Sequence, residues 1–492
     1  APRVPTPRTA ELPFASVQTP LPAPEIVPLP RHQPAGATPA EAPAPGDIAA
    51  SQSPAESLPD LTGLLPDAPP ADAGTSKPAD EGSTESANSA AASPPAAGTG
   101  QSFAATDATV PRRLGDGQEV AEPLRARVVA DRLKVAQQFG ATPQTESAVA
   151  SALDWLAANQ SADGRWDADA HGAGRETRTL GHDRQGAGAQ ADTGVTGLAL
   201  LAFLGNGETH LEGQHRENVQ RGLEFVLGSQ AQDGNLAGNA ELFARMYCHS
   251  IATLAVSEAY ALSGDERLLP GLQKALRFTI NSQHSGGGWR YQPGDAGDMS
   301  QFGWQLMALR SAELAGIPIP AETRLRMSRF LRSASSGRAR GLAAYRPGDR
   351  VSRSMTAEAL VCRYFLAAEN APAALDEAAA YVLEEKPGDG QANFYYWYYG
   401  TLAIFQRQGP DWDAWNAALQ RQLLHSQRYD GERRGSWDPD PLWGGYGGRV
   451  YSTAMGALSL EVYYRYLPLY GEQPRAEERW TDRPAQLSPY AR

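Results

Sequence analysis

The sequence predicts an all-α protein: six helical hairpins closed into a double ring, an (α/α)6 toroid, behind a long disordered Pro/Ala-rich segment. Three observations carry that prediction. One glycine turn recurs along the chain, helical segments alternate between amphipathic and wholly apolar, and prolines and aromatic rings occupy separate regions.

From the N-terminus, residues 1–112 read as a tether. Of the 40 aromatic residues only Phe14 lies in the first hundred positions, which hold 21 of the 38 prolines amid Ala, Ser, Thr and Glu. Such a segment buries too little apolar surface to offset the entropy of ordering, so it is expected to be disordered and partly polyproline-like. Residues 113–144 follow as a short linking helix, 145–470 as the toroid and 471–492 as an irregular tail. A start at Ala1 without Met gives the expectation of a removed leader or an upstream membrane anchor, and hence of a periplasmic or secreted protein.

Within the toroid region, Gln160 to Trp166, Gln230 to Leu236, Gln283 to Trp289 and Gln427 to Gly431 each close a helix with a Gln-x-x-Asp/Gly-Gly turn. A second echo, Tyr291-Gln-Pro-Gly-Asp295, Tyr345-Arg-Pro-Gly-Asp349 and Lys386-Pro-Gly-Asp389, precedes apolar segments. These turns mark equivalent points of successive units. First members of the pairs span about 147–160, 216–230, 268–283, 321–333, 371–386 and 411–427. Their apolar residues fall on one face, as Leu223, Val226 and Leu227 do, the 3.6-residue signature of a helix half in water. Second members span about 192–204, 247–262, 299–315, 353–367, 393–406 and 450–466 and are apolar or small all round. Burial on every flank makes these the inner helices. A closed ring follows because an open solenoid needs polar caps at both ends, and neither end supplies one.

Charge and cysteine content exclude several functions. With 44 basic against 56 acidic side chains the formal charge is −12, and no block of Lys and Arg provides a nucleic-acid footprint. No run of about 18 apolar residues spans a bilayer. Cys248 and Cys362 sit in apolar helical patterns and read as inert buried thiols.

The turns, the alternating pairs and the count of six resemble the α/α-toroid superfamily of terpenoid cyclases and protein prenyltransferase β subunits, closest to squalene-cyclase-like and prenyltransferase-repeat proteins. The resemblance covers residues 145–470. It implies structural jobs for Gln160, Trp166, Gln283 and Trp289, whereas the family's catalytic groups do not carry over. The Asp-x-Asp-Asp acid of class II cyclases finds only Asp167-Ala-Asp169-Ala, Asp411-Trp-Asp413-Ala and Asp438-Pro-Asp440-Pro, each lacking the last acid. Neither cysteine has an Asp two positions before it, as the prenyltransferase zinc site requires. The Cys-Gly-Glu-Gln thioester of complement-like toroids is missing too.

Site candidates therefore come from position alone. The loops before the inner helices are long and glycine-rich, so the lumen should open there, where six helix N-termini converge and favour an anion. Asp192, His249, Asp298, Gln301, Arg353, Arg449 and Tyr451 lie near that end, each as a ligand contact or as a cap. Deeper, Glu258, Gln305 and Glu358 interrupt apolar helices. Such carboxylates either pair, with Arg310 or Arg363, or act chemically, and Asp192, Glu258 and Glu358 are the catalytic candidates. The run Phe394 to Tyr399, with Trp437, Trp443 and Tyr446, must turn some rings to the lumen and others outward; Tyr395 and Trp397 are the lumen candidates. Asp167, Asp169, His171, His182 and Asp183 share one loop, but a calcium-loop reading fails at its twelfth position, Arg178, so no metal and no cofactor is expected. The expected role is binding of an apolar or polymeric ligand or of a protein partner. The alternatives are a divergent isoprenoid cyclase or transferase, or a carbohydrate-active lyase or hydrolase using lumen carboxylates.

Overall fold

The computed structural model describes residues 120–129, 132–176, 178–367 and 371–465; the tether expected at 1–112 and the tail at 471–492 lie outside them. Where a short linking helix is expected, the described residues form two, α1 (Glu122–Arg125) and α2 (Arg132–Gln138). Then come α3 (Pro143–Ala158), α4 (Asp192–Gly205), α5 (Arg216–Gly228), α6 (Leu242–Ser263), α7 (Leu269–Asn281) and α8 (Met299–Leu314). The chain continues through α9 (Ala321–Ser333), α10 (Arg353–Leu366), α11 (Pro372–Leu383), α12 (Phe394–Arg407), α13 (Gly409–Ser426), α14 (Gly444–Leu460) and α15 (Val462–Arg465). Two-residue strands, β1 (Ser335–Ser336) and β2 (Leu342–Ala343), pair antiparallel ahead of α10.

The inner ring closes. Helix α4 packs on α6, α6 on α8, α8 on α10, α10 on α12, α12 on α14, and α14 back on α4. Every residue of α4 from Thr193 to Gly205 is buried, whereas α5 buries only Val219, Gly222, Leu223 and Val226, the stripe expected of an outer helix. The outer ring is α3, α5, α7, α9, α11 and α13, with α13 against α3 at the seam. None of the described helices is long and apolar enough to cross a membrane.

The repeated turn explains how successive units are stapled. Gln160 Nε2 donates to the carbonyl of Gly164 in its own turn (2.8 Å) and to that of Asn218 at the start of α5 (2.9 Å). Gln230 repeats this with Gly234 and Gly271, and Gln283 with Gly287 and Thr323. Gln427 carries the pattern across the seam, donating to Gly435 and to Ala148 of α3, both at 2.8 Å. The fourth turn thus uses Gly435, not the Gly431 that the sequence spacing points to. The glycine is obligatory: Gly287 has φ +102°, and a Cβ there would fall 1.8 Å from the carbonyl oxygen of Arg326. Each Trp then anchors the turn to the preceding helix, Trp166 Nε1 to Leu156 O and Trp289 Nε1 to Thr279 O, both at 2.7 Å.

Candidate functional site

The N-terminal ends of all six inner helices enclose a cavity of ≈ 890 Å³, part of it open to solvent. Helix α4 contributes Gly194, Val195 and Leu198, α6 Phe243, Tyr247 and Ile251, α8 Ser300 and Trp304, α10 Met355, α12 Tyr395, and α14 Tyr451. Arg184, Tyr291 and Trp443 line it from the loops before α4, α8 and α14, and Tyr446 from the first turn of α14. Among the described residues lining the cavity, eight are aromatic, one is charged (Arg184) and none is Asp or Glu. At the floor Trp304 stacks on Tyr398, with centroids 5.8 Å apart and planes 8° apart.

Below that floor lies Glu258, fully buried, but its partners are not the expected Arg310 or Arg363. It accepts from Arg127 (2.6 Å) and Arg465 (3.2 Å), and Arg465 also donates to the Tyr398 hydroxyl (2.6 Å). These arginines come from the segment after α1 and from α15, so Glu258 belongs to a buried ion-pair cluster and does not line the cavity. Arg310 pairs with Glu313, and Arg363 donates to Ser335 Oγ and Arg340 O.

Glu358 stands behind the cavity wall. Its Oε2 accepts the Tyr395 hydroxyl (2.8 Å), and Gly303 leaves room for its Oε1, which would lie 2.0 Å from a Cβ there. Burial pushes this carboxyl well above the usual range, against the hydrogen bond from Tyr395, and the charge of Asp298 adds to the rise. Asp298 caps α8, accepting Gln301 N and Ser300 Oγ (both 2.8 Å) and the Tyr345 hydroxyl (2.7 Å). Burial raises it to about 6. Through Ser300 it orients Tyr247 (2.5 Å) and through Tyr345 it orients Tyr291 (3.0 Å), both cavity residues. Asp298 therefore acts on the lining without touching the lumen. The Gln301 side chain is buried beside it, and among the described residues neither amide atom has a hydrogen-bond partner.

The remaining candidates separate. Tyr395 and Tyr451 line the cavity. His249 does not: its Nδ1 accepts Leu236 N (3.1 Å) and its Nε2 meets Thr279 Oγ1 (2.8 Å), while burial drives its pKa down to about 3. Thr196, Thr356 and Thr453 accept a turn N–H in the same way in other units, which identifies His249 as their structural counterpart. Trp397 is buried against Phe394 and does not line the cavity. Arg353 pairs with Glu384 and Glu385 beyond α11, and Arg449 with Asp438 and Ser436, both away from the lumen. Asp192 lies in a neighbouring open groove with Asn235, Glu241, Arg245 and Gln292, where it accepts Ala168 N (2.9 Å). Burial raises its pKa. The converging helix N-termini are no general anion site, since Asp298, Ser352 and Asn393 already cap α8, α10 and α12. Among the described residues no three His, Cys, Asp or Glu side chains converge on a metal-sized site.

Sequence reasoning missed Arg184, Phe243, Tyr247, Tyr291, Ser300, Trp304 and Met355. The available signal was an aromatic residue within two turns of an inner helix's start, as at Tyr247, Trp304, Tyr395 and Tyr451.

No family model matches the chain, and no curated protein is significantly similar to it. Among solved structures it is similar to an inactive variant of an α-1,6-mannanase from Salegentibacter sp. in complex with α-1,6-mannotriose (11% identity, 65% of this chain and 99% of that one, TM-score 0.45). It is also similar to a glycoside hydrolase family 76 mannosidase from Bacteroides thetaiotaomicron (12% identity, 66% and 98%, TM-score 0.43). A third is a variant type II terpene cyclase from Scytonema in complex with merosterolic acid A (16% identity, 65% and 96%, TM-score 0.41). The assignment of an α/α toroid rests on the closed helix order described above.

Proposed function

We propose that this protein binds an elongated apolar ligand, isoprenoid- or acyl-like, in the lumen of the toroid, and that it does so outside the cytoplasm with residues 1–112 as a spacer. The observation that carries the reading is the lining: eight aromatic rings with aliphatic side chains, and no carboxylate among the described residues that face the cavity. Each methylene moved from water into such a lining gains about 0.8 kcal/mol. Glycoside hydrolysis calls for two carboxyl groups about 5–10 Å apart across the substrate, a requirement this lining does not meet. Cyclisation calls for an acid facing the ligand, and Glu358 stands one side chain back, behind Tyr395.

Thermal shift and native mass spectrometry with farnesol, geranylgeraniol and cellotetraose test the proposal. A one-to-one complex and a raised Tm with the isoprenoid alcohols, and neither with cellotetraose, are expected. A response to the oligosaccharide alone would contradict it.

A further inference from the structure

Three buried donors on side chains that line the cavity have no hydrogen-bond partner among the described residues. Arg184 is 3% exposed; its Nη1 donates to the carbonyls of Thr179 (3.0 Å) and His182 (3.2 Å), and its guanidinium sits 5.3 Å from the Trp443 ring. Its Nη2, the Trp443 Nε1 and the Tyr446 hydroxyl are all buried and, among the described residues, accept no partner and donate to none. All three side chains line the same cavity. Buried donors are nearly always satisfied, and a bare charged one is the most costly to keep.

The backbone holds this cluster in place. Arg175 N donates to Gly445 O (2.8 Å) and Gly174 N to Tyr446 O (3.3 Å), while Arg449 N donates to His171 O (2.9 Å). A Cβ on Gly188 would fall 1.9 Å from Tyr446 O, so the loop carrying Arg184 and the segment carrying Trp443 and Tyr446 fit as one piece. The carboxylate that feels the charge of Arg184 is Glu176, which hydrogen-bonds to no side chain among the described residues and does not line the cavity.

We infer that the cluster of Arg184, Trp443 and Tyr446 receives an oxyanion head, a carboxylate or phosphate, on the apolar chain that the lumen holds. The inference rests on the apolar-ligand reading and narrows it to an acidic amphiphile. Arg184 Nη2 supplies the charged hydrogen bond, Trp443 Nε1 and the Tyr446 hydroxyl the neutral ones. A neutral alcohol or hydrocarbon would leave the guanidinium desolvated and unpaired.

Titration calorimetry at pH 8 with dodecanol, dodecanoate and dodecyl phosphate tests it. The wild type should bind at least one oxyanion probe about tenfold or more tighter than dodecanol, as a charge-assisted hydrogen bond requires. Which oxyanion gains more identifies the head. Arg184→Gln should reduce the preference to about twofold or less, and Trp443→Phe should cost the oxyanion probe about fivefold while sparing dodecanol. Equal binding of all three probes by the wild type, or a preference surviving in Arg184→Gln, overturns the inference and leaves the apolar-ligand reading standing. No binding of any probe overturns both. Should Arg184→Gln not fold, the wild-type ratio and Trp443→Phe decide.

Discussion

Glu358 is a buried carboxyl inside an apolar helix, hydrogen-bonded by the Tyr395 hydroxyl and raised well above the usual carboxylate range by burial. Its carboxyl keeps its proton when folded at a pH where the unfolded chain releases it, so it contributes stability that is fully present below the unfolded value and is lost as pH rises toward the folded one. Gln at this position still accepts the Tyr395 hydroxyl and never ionises. The stability of Glu358→Gln relative to wild type should therefore rise as pH climbs above the unfolded carboxyl range, by at most about 1.4 kcal/mol per pH unit. Urea unfolding of both proteins across that range measures it, and a constant difference would contradict the assignment. His249 works in the opposite sense. Held neutral with a pKa of about 3, it costs stability as pH falls below the unfolded imidazole value. The sequence places Glu358 as an interruption of an apolar helix and His249 among the polar residues near the lumen opening. It does not reveal their partners, which are set by rotation about the helix axis and by contacts far along the chain, such as Glu258 with Arg127 and Arg465.

At the scale of elements, the helices and turns were legible because their signals are local: a 3.6-residue stripe, a glycine at positive φ, and a Gln that ends a helix. The spans at 216–230 and 321–333 differ from the observed α5 and α9 by two residues or fewer. The shift from Gly431 to Gly435 was not legible, because the fourth turn inserts residues that the other turns lack, and Gly435 acquires its role only when it meets Ser151 O across the seam. The staple itself is testable. Gln427→Ala removes the donor from two carbonyls and should cost about 2 kcal/mol or more. Gly287→Ala, with its Cβ pressed on Arg326 O, should cost about 1–3 kcal/mol. Thermal unfolding reads both; a change within about 0.5 kcal/mol, the usual size for surface substitutions, would remove the turn from the list of stabilising devices.

For the whole molecule, the toroid gathers the first turns of six helices, distant in sequence, around one cavity. The ring was legible; the lining was not, because which face of an all-buried helix meets the lumen is decided by its neighbours. Ile251 lies in that lining. Affinity for unbranched alcohols should climb about fourfold per added methylene until the cavity is full. The most direct measurement is native mass spectrometry of wild type and Ile251→Trp with geranylgeraniol, alongside the melting curve of each. A one-to-one complex that disappears in a variant with a cooperative transition is predicted. Undiminished binding by the filled variant would place the ligand elsewhere and contradict the lumen as the functional site.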